Sequence, residues 1–246
     1  MLFNSSEYLF LFLPVVLVVF LLLARSGSTE GQISWLILAS LYFYGSWNPV
    51  YLLLILSSIV VNFLVGKKLA ITDSAGRRSW LLVGVFFNLG LLGYFKYAGF
   101  FVDSLNTFGN WLIPLPEITL PLAISFFTFQ QIAYLVDVSR GKCKEYMFRH
   151  YALFVLFFPQ LIAGPIVHHK EIVPQFTFLR PPKELRTDIA VGLTIIVIGL
   201  FKKVVMADSL ADISDPIFDA AAQGQAINTI DAWIATLGFS FQIYFD

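Results

Sequence analysis

The chain has 246 residues, of which 58% are hydrophobic and 13% charged, against about 25% charged in ordinary soluble domains. Sixteen Lys and Arg balance sixteen Asp and Glu, which argues against a nucleic-acid partner. The single cysteine, Cys143, excludes an intrachain disulfide and a cysteine-built metal cage.

The first apolar run, 8–24, carries no charge. A helix needs roughly 20 mostly apolar residues to cross a bilayer core, so the run reads as a membrane span. Ala24 and Ser26 imitate a signal-peptide cleavage site, but only Glu7 precedes the run as a charge. The run also exceeds the usual apolar stretch of such peptides, about 7–15 residues. Further apolar runs lie near 33–47, 50–66, 80–101, 118–138, 151–167, 189–206 and 226–245. The expectation is an all-α, polytopic transmembrane helical bundle in a single membrane domain over 1–246.

Between the second and third runs, Tyr42, Tyr44, Trp47 and Tyr51 surround Pro49 and suggest an interfacial aromatic belt at a turn. Lys67, Lys68, Arg77 and Arg78 share one connection, and Arg140, Lys142, Lys144 and Arg149 another, whereas 1–7 and 102–117 contain no Lys or Arg. Short cytoplasmic loops collect positive charge. The N-terminus is therefore expected outside, with 67–79 and 139–150 in the cytoplasm. Lys96, late in an apolar run, either snorkels to the headgroups or joins a buried pair.

Along 120–138, Ser125, Thr128, Gln131, Tyr134 and Asp137 recur every third residue. Such a stripe faces other helices or water rather than lipid. It serves either interhelical hydrogen bonds or a substrate path. The run 151–167 contains Pro159, Gly164 and Pro165, which break helices. A re-entrant element keeps Lys170, Arg180, Lys183 and Arg186 inside and leaves only Lys202 and Lys203 on the unexpected side. The alternative is a proline-kinked span. Irregular backbone at membrane depth is tolerated where protein or a water-filled cavity surrounds it, so 158–168 is a candidate cavity wall. Asp208, Asp212, Asp215 and Asp219 suit an outside loop, after which the last run heads inward. His150, His168 and His169 lack the i,i+4 spacing of a zinc helix and suit interfacial structural roles. No GxSxG, GxxxxGK or HExxH motif is present, and no metal site is expected.

Seven blocks, in order, resemble the membrane-bound O-acyltransferase family in its bacterial alginate O-acetyltransferase-like branch. They are MLFNSSEYLFLFLP at 1–14, YGSWNPVYL at 44–52, NLGLLGYFKYAGFF at 88–101, LPLAISFFTFQQIAYLVDVSRG at 120–141, FFPQLIAGPIV at 157–167, GLFKKVVMADSLA at 199–211 and FSFQIYFD at 239–246. The resemblance implies the N-terminal part of a helical ring around a thinned, funnel-shaped centre. It also implies a catalytic histidine beyond Asp246, matched by none of the three histidines here. No catalytic residue is assigned, and this stretch alone is expected to be inactive.

The implied activity is transfer of an acetyl group to hydroxyls of an exported polysaccharide such as alginate. The donor is acetyl-CoA or another cytoplasmic acyl donor, used as a co-substrate with no bound cofactor. The expected setting is a bacterial inner membrane, with periplasmic acetyltransferase proteins as partners. Ser125, Thr128, Gln130, Gln131, Gln160 and Tyr244 are candidate lining residues of the substrate path. A membrane scaffold or a transporter component of an export complex is the alternative.

Overall fold

A computed structural model describes residues 3–109, 113–114, 118–142, 147–162, 164, 169–177 and 185–246. Cys143, Lys144, Pro165, His168, Arg180 and Lys183 lie outside the described residues, as do the side chains of His169 and Lys170. All regular structure among the described residues is helical. In chain order the helices are α1 (Leu13–Arg25), α2 (Thr29–Gly45), α3 (Val50–Ile71), α4 (Ser74–Leu92), α5 (Ala98–Gly109), α6 (Ile124–Ser139), α7 (Phe148–Leu156), α8 (Phe158–Leu161), α9 (His169–Thr177), α10 (Leu185–Leu200), α11 (Asp208–Ala222) and α12 (Thr229–Phe245). Three π-helical segments, Tyr8–Phe12, Gly93–Tyr97 and Phe201–Ala207, adjoin α1, join α4 to α5 and join α10 to α11.

Among the described residues, four continuous helices are long and apolar enough to cross a membrane: Tyr8–Arg25, Val50–Ile71, Gly76–Gly109 and Leu185–Ala222. The chain is a membrane protein of helical class, as its apolar runs imply. Local chemistry sets the helix starts. Ser28 Oγ accepts from Gly31 N at 3.1 Å and opens α2, and Asn228 Oδ1 accepts from Asp231 N at 2.8 Å and opens α12. Both satisfy an amide that the first helical turn leaves without a partner.

The chain divides into two compact units, one over Pro14–Pro181 and the other over Leu2–Leu13 with Pro182–Asp246. In the first unit α3, α4 and α6 pack together, and α7 packs against α2, α3, α6 and α9. Small residues allow the close approach. A Cβ on Gly66 would stand 2.5 Å from Tyr134 Oη, and one on Gly84 would collide with Leu135. In the second unit α11 and α12 form the main pair, with Phe218 edge-on to Phe239 at 5.5 Å.

Three sequence expectations change. α6 begins at Ile124, where Ala123 turns the chain at φ 59°, rather than near residue 120. Tyr44 leaves the aromatic belt: it is fully buried and donates to Leu122 O at 3.1 Å. Trp47 and Tyr51 do stack, at 5.4 Å. The acidic stretch is helix α11 rather than a loop. Its aspartates at 208, 212, 215 and 219 fall at helical spacing, so one polar face accommodates them all.

Candidate functional site

Neutral polar groups gather in the interior of the first unit. Ser58 and Asn62, one turn apart on α3, are fully buried, as are Asn88 on α4, Gln131 on α6 and Tyr151 on α7. Asn62 Nδ2 donates to Ser58 O at 2.9 Å and to Asn88 Oδ1 at 3.2 Å. Asn88 Nδ2 returns a bond to Asn62 Oδ1 at 2.6 Å and reaches Gly84 O at 2.7 Å. Gln131 Nε2 donates to Ser58 Oγ at 3.0 Å, and Gln131 Oε1 accepts from Tyr151 Oη at 3.1 Å. Its neighbour Gln130 donates to Phe154 O at 2.9 Å. Four helices are thus fixed in register by groups that cannot remain unpaired in an apolar interior. These amide and hydroxyl groups bond one another across the four helices, so the network positions helices.

The adjoining wall is the interrupted segment. α7 stops after nine residues, and Phe157 leaves the helical region at φ −49°, ψ 104°. Pro159 then stands in the first turn of α8, where its missing amide hydrogen costs the new helix no bond. The amide of Phe158, freed by the break, donates to Ser40 Oγ at 3.2 Å, and Ser40 Oγ donates in turn to Leu36 O at 2.7 Å. Gly164 N donates to Gln160 O at 3.0 Å. A Cβ on Gly164 would come within 2.8 Å of the Gln160 backbone, so only glycine fits there. At nine residues, α7 is about 14 Å long and cannot span a core of about 30 Å. The 151–167 run is therefore not one continuous span.

The six lining candidates fall on three helices, α6 and α8 in the first unit and α12 in the second. Gln130 and Gln131 join the buried network. Thr128 is fully buried on the same helix, with no partner for Oγ1 among the described residues. Ser125 is half-buried on α6 and Gln160 half-buried on α8. Tyr244 lies in the second unit, exposed on α12. Sequence reasoning passed over Ser58, Asn62 and Asn88. The Ser58/Asn62 spacing was the available signal, since two polar groups one turn apart in an apolar helix need partners.

A charged cluster occupies the second unit. Lys203 Nζ lies 3.1 Å from Asp208 Oδ1 and 2.7 Å from Asp246 Oδ1. Residues five apart point in different directions on an α-helix. In the Phe201–Ala207 segment, however, the Asp208 amide bonds to Lys203 O, the i→i+5 pattern of a π-helix. That extra residue per turn stacks Asp208 over Lys203. Lys96, in the other internal π segment, is exposed, with its ammonium 5.6 Å from the Tyr97 ring centroid.

No family model matches the chain. Over its whole length it is 43% identical to the peptidoglycan O-acetyltransferase of Helicobacter pylori, covering 51% of that protein. It is 39% identical to the probable alginate O-acetylase AlgI of Pseudomonas aeruginosa and 38% identical to that of Pseudomonas putida, covering 46% and 50% of them. The chain spans about half the length of the curated relatives it matches.

Proposed function

Because the chain belongs to the membrane-bound O-acyltransferase family, in its alginate O-acetylase-like branch, we propose that it forms part of an O-acetyltransferase of the bacterial inner membrane. The enzyme moves an acetyl group from a cytoplasmic donor, acetyl-CoA or another acyl donor, to hydroxyls of an exported or envelope polysaccharide. Alginate and peptidoglycan are both candidate acceptors, because relatives of both names align with the entire chain. That full-length identity is the observation that carries the reading. Periplasmic acetyltransferase proteins are the proposed partners on the acceptor side.

In this scheme Gln130 and Gln131 brace a wall, while Ser125, Thr128 and Gln160 line the path within the first unit, and Tyr244 is a candidate lining residue of the second. None of these side chains is a general base. A histidine suits that role near neutral pH, and the resemblance leaves His150, His168 and His169 without it. These 246 residues alone are therefore proposed to be inactive.

A chimera tests the proposal. The chain replaces the matching half of the Helicobacter pylori relative, and the product is supplied with labelled acetyl-CoA and glycan. Alkali-labile label on the glycan is expected from the chimera and none from the chain alone. A folded chimera without ester formation would count against the acetyltransferase reading, and turnover by the chain alone would refute the placement of the base.

A further inference from the structure

Within the Pro14–Pro181 unit, cationic side chains collect at one end. Lys67 and Lys68 stand in the last turns of α3, and Arg77 and Arg78 in the first turns of α4. Arg77 donates from Nη1 to Ser139 O at 3.4 Å and from Nη2 to Thr72 O at 3.3 Å. The first bond brings in the end of α6, with Arg140 beyond it. Phe63 packs on Phe148 at 5.2 Å, and Arg149 pairs with Glu30 at 2.7 Å, which adds the starts of α7 and α2. The other end of α3 meets aromatic groups instead: Tyr51 contacts Phe95 edge-on at 6.1 Å.

Two observations give the basic end a specific reading. Arg149 is neutralised by Glu30, but Lys67, Lys68, Arg77, Arg78 and Arg140 have no carboxylate at ion-pair distance among the described residues. Among the described residues Arg77 reaches only carbonyl oxygens and its Nε is buried without a hydrogen-bond partner, so no carboxylate offsets its charge. Beside these cations runs an exposed apolar stripe. Val60, Leu64 and Ile71 share with Lys67 and Lys68 one exposed face of α3, as their spacing requires. Trp80 and Val83 are exposed on α4.

We propose that this end is a binding site for anionic phospholipid. Lys67, Lys68, Arg77 and Arg78 hold the headgroup phosphate, and the acyl chains lie along Leu64, Val60 and Val83. A soluble phosphate would use the cations and leave the apolar stripe idle. A lipid uses both, and basic residues at a membrane surface attract acidic headgroups at short range.

The test uses the full chain extracted in mild detergent from bilayers containing phosphatidylglycerol and phosphatidylcholine, with retained lipid measured by native mass spectrometry. Preferential, salt-sensitive retention of phosphatidylglycerol is expected. The exposed triple variant Lys67→Gln, Lys68→Gln, Arg78→Gln lowers it by about fivefold per cation removed. The Lys67→Arg, Lys68→Arg variant and the Lys202→Gln variant, made outside the proposed cation set, keep it. Equal retention of both lipids, loss of preference in the arginine variant, or displacement of phosphatidylglycerol by inorganic phosphate would overturn the proposal.

Discussion

Gln131 shows how a single side chain can hold a membrane bundle in register. Its amide nitrogen reaches Ser58 on α3 and its carbonyl receives the Tyr151 hydroxyl from α7. Gln131→Leu keeps comparable volume but removes one hydrogen bond from each hydroxyl in a fully buried setting. The expected cost is about 1–2 kcal/mol, read as a lower thermal midpoint in detergent. Adding Tyr151→Phe should cost less than the two separate losses combined, because the pair shares one bond. A fully additive pair would show that the bond contributes nothing. The stripe that contains Gln131 was visible in the sequence as a three-residue repeat of polar side chains. Its partners were not. Ser58 lies 73 positions from Gln131, and one serine in an apolar run carries no mark of what it faces.

Among elements, the π segment Phe201–Ala207 matters most in the second unit, because it sets which charges meet. Lys203 bridges Asp208 and Asp246 and so ties the start of α11 to the end of α12. Lys203→Met should destabilise the protein by about 1–3 kcal/mol, between the values for exposed and buried ion pairs. Lys203→Arg should recover most of the loss, whereas Lys202→Met, at an exposed neighbour, should change little. Equal melting points for Lys203→Met and the parent would remove the bridge from the account. Hydropathy located the helices, since burial of backbone polar groups in lipid permits little else. It did not locate their ends. Ala123 starts α6 through a left-handed backbone that no composition rule anticipates, and α11 continues through Pro216, where a loop was expected.

For the whole molecule, the distribution of cations predicts an orientation that can be measured. The basic end of the Pro14–Pro181 unit is expected in the cytoplasm, following the bias of Lys and Arg towards that side. Asp73→Cys and Lys142→Cys, made separately in a Cys143→Ser background, should react with an impermeant maleimide only after the cytoplasmic side is opened. Labelling of both in intact cells would invert the topology and place the N-terminus inside. Parallel labelling at Asp212→Cys reports on the second unit independently.

The brevity of α7 bears on how the protein is made. At nine residues it is apolar along most of its length, and from His150 to Leu156 every residue is buried by protein. Such a segment is too short to settle into lipid unaided. It depends on a cradle, and the helices that form most of that cradle, α2, α3 and α6, leave the ribosome before it. The order of synthesis therefore prepares the niche ahead of its occupant. A rearranged gene that delivers α7 first would expose a greasy stub with nowhere to lodge.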